Sequence, residues 1–147
     1  MLLDLNVPAW LHRYILAWVD RLALNDWRVK IAIELYVNDD PDCHALCSQH
    51  PDLNEARLTF RADIEDTKEW RITVIHELLH VRHSRIDHAV ERVIIPELAA
   101  AACQPLQTLY HQHVESFTAY LARTLYRATV ALDYPEEVTD VETSARS

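Results

Sequence analysis

The sequence predicts an α+β fold, with an N-terminal helix, a small antiparallel three-stranded sheet, and helices running to the C-terminus. Three observations carry that prediction. Apolar residues recur at helical spacing before position 23, alternate with polar ones in two stretches between 26 and 63, and return to helical spacing beyond Asp63. The chain has 147 residues, half of them hydrophobic, which is enough for one core. Residues 1–135 therefore read as a single domain, and the polar stretch EEVTDVETSARS (136–147) reads as a frayed tail.

In VPAWLHRYILAWVDRLAL, the residues Leu11, Tyr14, Ile15, Trp18, Val19 and Leu22 share one helical face and Pro8 suits the first turn. In DWRVKIAIELYV, Trp27, Val29, Ile31, Ile33, Leu35 and Val37 alternate with more polar neighbours, the pattern of a strand with one buried face. EARLTFRAD repeats the alternation with Ala56, Leu58 and Phe60 inward, and HALCSQ, between the two, supplies a short middle strand. The helical remainder is expected to break around His83 to Asp87 and before Pro96 and Pro105.

Composition removes several classes of function. The chain has no glycine at all, although average usage would give roughly ten. Glycine-rich phosphate loops, dinucleotide fingerprints and the G-x-S-x-G elbow all need backbone that only glycine allows. Turns fall instead to Asn, Asp and Pro, in LALNDW, VNDDPD and HPDLNEA. A net charge of −9 without any Lys/Arg cluster opposes nucleic acid as a partner. No run of 18 apolar residues is present, the opening MLLDLNVPAW lacks the features of a secretory signal, and three cysteines are too few for a disulfide scaffold. A cytoplasmic location with free thiols at Cys43, Cys47 and Cys103 is expected, with no membrane partner.

One motif carries chemistry. HELLH at 76–80 lies in EDTKEWRITVIHELLHVRH, where Asp66 and Glu69 form a candidate capping box at the start of a helix. On that helix His76 and His80 stand about 40° apart and about 6 Å along the axis, so both imidazoles reach one metal ion from the same side. Glu77 is rotated too far to share the metal but sits near enough to act on a water beside it, the place of a general base. Trp70, Ile72, Val74, Ile75, Leu78, Leu79 and Val81 surround the motif with apolar side chains. Two imidazoles and a carboxylate buried there without compensation would be costly, and a cation, Zn2+ first by ligand type, compensates directly.

A third ligand must come from elsewhere. The extended pattern H-E-x-x-H-x-x-G-x-x-H would need glycine and histidine where His83 and Ile86 stand, which excludes it. Comparison of HVRHSRIDH with metal-binding ribosomal-RNA endonucleases fails at the same place, since the last histidine falls at Ile86. A glutamate from a later helix is the remaining common solution, with Glu91, Glu97 and Glu115 as candidates. Glu115 flanks the apolar stripe Leu106, Tyr110, Val114, Phe117, Leu121 and Leu125, near the small residues Ala119 and Ala122 that permit close helix approach.

The N-terminal helix, small sheet, HELLH helix and later HVESFTAYLARTL resemble the minimal gluzincin-type HExxH metallopeptidases, prophage-encoded and ImmA/IrrE-type members above all, over about residues 8 to 130. The resemblance implies a zincin-like fold, zinc held by His76, His80 and Glu115, Glu77 as catalytic base, and a peptide or protein substrate. Tyr110, His111, Tyr126 and His83 are candidate donors to the transition-state oxygen, and the sheet edge near EARLTFRAD could align an extended peptide. Two other functions compete: an interaction or regulatory domain on the same zinc fold, and a non-peptidase metal hydrolase. A second metal site at Cys43, His44, Cys47 and His50 competes with packing of small core residues, and Cys103 and the four tryptophans read as core.

Overall fold

Residues 7–97 and 100–133 are described by a computed structural model of the chain. The expected frayed tail lies outside them. Helix α1 (Ala9–Arg21) buries Leu11, Ile15 and Trp18, the face its spacing dictates, and Pro8 precedes it as its cap residue. Strands β1 (Arg28–Glu34), β2 (Ala45–His50) and β3 (Glu55–Arg61) follow, then α2 (Lys68–Ala89) and α3 (Ala100–Asp133). Between α2 and α3 the chain passes through a π-helical stretch, Val90–Ile94, and a 3-10 turn, Ile95–Glu97, at Pro96. The fold is α+β.

The sheet is mixed rather than antiparallel. Its spatial order is β1-β3-β2, with β3 parallel to β1 and antiparallel to β2. HALCSQ is therefore an edge strand and EARLTFR the central one. Alternation reports which face of a strand is buried but carries no information about its neighbours, so strand order was open to error. The central position also explains why Thr59, the outward residue by alternation, is buried between Leu58 and Phe60. β1 ends at Glu34, earlier than alternation suggests. Leu35 and Tyr36 are exposed, and Val37 reaches the interior from the loop, through a bridge to Asp40.

Glycine-free turns have a visible cost. Asn38, Asp39 and Asn54 take the left-handed conformation that Asn and Asp tolerate best, and Ala23 takes it as well, with φ 52°. For a residue with a Cβ this costs about 1–2 kcal/mol.

α2 and α3 also depart from expectation. Thr67, one residue after Asp66, caps α2 by accepting from the Trp70 N–H at 3.4 Å, while Asp66 pairs with Arg71 at 2.6 Å. α2 runs unbroken through His83 to Asp87, because that stretch holds neither proline nor glycine, and the Ser84 hydroxyl folds back onto the Val81 carbonyl at 2.8 Å. α3 passes through Pro105 without a break. Pro105 is the sixth residue of α3, so the helix forgoes one backbone hydrogen bond there and continues. The face α3 buries is centred on Thr118 and Ala122, whereas Leu106 and Phe117 of the expected stripe are exposed.

One core unites these elements. Leu11, Ile15 and Trp18 meet Val29, Ile31, Leu58 and Phe60 of the sheet and Val74, Ile75, Leu78 and Val81 of α2. Trp10, Trp27 and Trp70 pack against it partly buried, so all four tryptophans belong to it. No helix among the described residues is long and apolar enough to cross a membrane.

Candidate metal centre

The helical repeat does at His76 and His80 what the spacing requires. Their rings stand edge to face with Nε2 atoms 3.0 Å apart. α3 packs against α2, with Thr118 and Ala122 fully buried, and Glu115 of α3 lies over both imidazoles. One carboxylate oxygen lies 3.3 Å from His76 Nε2 and the other 3.2 Å from His80 Nε2. His76, His80 and Glu115 form the one group of metal-ligating side chains found among the described residues, with donor atoms all within 4.8 Å of one another.

Those separations fit a metal ion. Ligands about 2.0–2.1 Å from a tetrahedral zinc are spaced about 3.3–3.4 Å apart. The electrostatics fit as well. Burial pushes the His76 and His80 pKa values below the usual histidine range, and the other imidazole lowers His76 further, against the opposing pull of Glu115. Neutral imidazoles with converging lone pairs are the ligand form of histidine.

Glu77 is buried beside this group. Burial first, and the Glu115 charge second, push its carboxyl up to about 8, against a backbone hydrogen bond from Cys47. A cation at the neighbouring ligands would draw it back down. Cys47 itself is held protonated by burial and by the Glu77 charge.

The group opens into a cavity of about 440 Å³. β2 forms one wall through Ala45, Leu46, Cys47 and Gln49, and the far end is lined by Asp87, Glu91, Tyr110 and His111. The sheet edge at this cavity is β2, and not EARLTFRAD, whose two sides are already paired. The sequence signal for this was the short strand HALCSQ, but only its neighbours reveal it as the edge.

Other expected residues are distributed as follows. The Tyr110 hydroxyl donates to Asp87 Oδ1 at 2.6 Å and His111 Nε2 lies 3.2 Å from Glu91 Oε1, both in the cavity wall. That pairing takes Glu91 away from the histidines of α2, and Glu97 is exposed in its turn. His83 leans on Phe117 outside the cavity lining, although its charge still helps to lower the His80 pKa, and Tyr126 lines a different cavity. Cys43, His44, Cys47 and His50 do not converge: the Cys43 thiol lies on the Ala45 carbonyl, Cys47 Sγ bonds Gln49 and the His44 ring leans on Trp70. Cys103 is half-buried with its thiol on the Ile95 carbonyl at 3.2 Å, consistent with a packing role.

Comparison of this chain with family models, curated proteins and solved structures gives no match. The functional reading rests on the geometry.

Proposed function

We propose that the chain is a zinc-dependent peptidase of gluzincin type on a zincin-like fold, acting in the cytoplasm on a peptide or protein. The observation that carries the reading is the convergence of His76, His80 and Glu115 from two helices onto one point, beside a buried Glu77. Those three residues would hold the metal. When bound, zinc supplies Lewis acidity, lowering the pKa of a water toward 7 and polarising a carbonyl.

The remaining work belongs to the protein. Glu77 takes up a proton on its carboxylate and returns it to the departing amine; burial makes that carboxylate a stronger base, and a cation at the neighbouring ligands would keep it ionised before the proton arrives. β2 offers the N–H and C=O groups of its free edge to an extended peptide, aligning it along the cavity. Tyr110 and His111 stand in the wall as donors to the carbonyl oxygen, Tyr110 once it exchanges its bond to Asp87.

Glu77→Gln tests the reading, because an amide keeps the shape and cannot take up the proton. Zinc content and cleavage of a panel of unfolded proteins are measured for both chains. The variant is expected to retain zinc and lose hydrolysis by roughly 100-fold or more. Equal cleavage by both would remove Glu77 as the base.

A further inference from the structure

Helix α3 packs one face on α2 and leaves another in water, and that outer face lacks the charged side chains that solvent-facing helix surfaces carry. Leu106, Leu109, Phe117 and Tyr120 stand on it, between 40% and 64% exposed, with His113 exposed among them. A quarter of the chain is Asp, Glu, Lys or Arg, yet between Glu97 and Arg123 the only one of these is Glu115. Glu115 stands about 200° around the helix from His113, over His76 and His80. The outer stripe itself is uncharged.

Its positions are symmetric about His113. Leu109 and Phe117 lie four residues to either side of it, and Leu106 and Tyr120 seven. Four residues turn the helix by about 40° and seven by about −20°, so all five side chains share one stripe about 21 Å long. When a second copy of α3 is laid antiparallel with His113 opposite His113, a two-fold axis sets Leu109 against the partner's Phe117 and Leu106 against the partner's Tyr120. Every apolar residue then meets an apolar residue, at both ends of the contact, which is the self-complementarity that a two-fold interface requires. A stripe matched to an unrelated protein has no need of that symmetry. The lack of charge also suits a second copy, because a chain of net charge −9 meets itself there without bringing like charges together.

We infer that the outer face of α3 is a self-association surface, on which two copies of this chain pair antiparallel about a two-fold axis at His113. Two leucines and two aromatic rings exposed to this extent, with the polar groups between them, offer on the order of 500 Å² per chain, the lower end of specific interfaces. The dimer is therefore reversible: it forms at about 100 µM and dissociates by about 1 µM, where Phe117 is in water. The pairing face is a different one from that which carries Glu115, so it does not depend on the metal centre.

Sedimentation velocity of the full chain, with Leu109→Lys and Phe117→Glu, tests the inference. Wild type should sediment as a dimer at about 100 µM and as a monomer at about 1 µM. Each variant alone sets a charge against an apolar partner at both ends and should remain monomeric at the higher concentration. Its thermal midpoint at the lower concentration should match wild type, because both positions are exposed. Mixed in equal amounts, the two variants regain one apolar pair and bring the new ammonium against the new carboxylate at the other end, so the mixed dimer should form at least tenfold more tightly than either variant with itself. Parallel pairing would set Leu109 against the partner's Leu109, and mixing would then recover nothing. A monomeric wild type at about 100 µM, as when another segment or a different protein covers the stripe, would overturn the inference. So would undiminished dimerisation of either variant, or a mixture that associates no better than its components.

Discussion

The two helices that build the metal centre are held in place by different means. α2 presents His76, Glu77 and His80 from a helix whose Val74, Ile75, Leu78 and Val81 are fully buried against α1 and the sheet. α3 presents Glu115 from a helix on which only Thr118 and Ala122 reach that depth among the described residues, while Phe117 is 56% and Tyr120 64% exposed. The ligands share the contrast: the His76 and His80 side chains are 20% and 15% exposed and that of Glu115 59%. Two ligands are thus fixed by the hydrophobic core and the third by a narrow contact between two helices. A metal shared between them would tie α3 to the core, coupling metal affinity to helix docking.

The largest expected effect tests the contrast itself. Leu78→Ala, in the fully buried part of α2, should cost about 2–5 kcal/mol by denaturant unfolding of the metal-free protein. Phe117→Ala removes a larger side chain from α3 but should cost less than about 0.5 kcal/mol, because that ring is mostly in water. Comparable losses at the two positions would break the comparison.

A smaller effect concerns the pH dependence of α2. In the folded metal-free protein the Glu77 carboxyl is raised from 4.5 to about 8, so between those values the folded state holds a proton that the unfolded chain has released. The stability linked to Glu77 is present in full below about pH 4.5 and is lost as pH rises through about 8. Glu77→Gln has no such proton. The metal-free variant should therefore gain thermal stability relative to wild type between pH 5 and pH 9, and zinc should narrow the gap by favouring the ionised carboxylate. Parallel midpoints for the two metal-free proteins across that range would contradict the burial argument.

The same division explains how far the sequence could be read. His76, Glu77 and His80 were legible because helical geometry alone relates residues one turn apart. Glu115 is accessible from the sequence only as one of three glutamates, favoured by its place beside the apolar stripe and near Ala119 and Ala122. The α3 face was misjudged because hydropathy favours Phe117 and Leu106, whereas close approach of two helices selects small residues such as Ala122 and Thr118. Sheet order was not legible at all, since the pairing of β1 with β3 across 27 residues leaves no mark on either strand. That order decides which strand faces the cavity.

The most direct test of the central claim is the zinc content of the folded protein, measured by native mass spectrometry on wild type, His80→Ala and Glu115→Ala purified side by side. The account predicts about one zinc per chain in wild type, none in His80→Ala, and strongly reduced occupancy in Glu115→Ala, because each supplies a ligand from a separate helix. Full zinc occupancy in both variants, or none in the folded wild type after incubation with zinc, would contradict it.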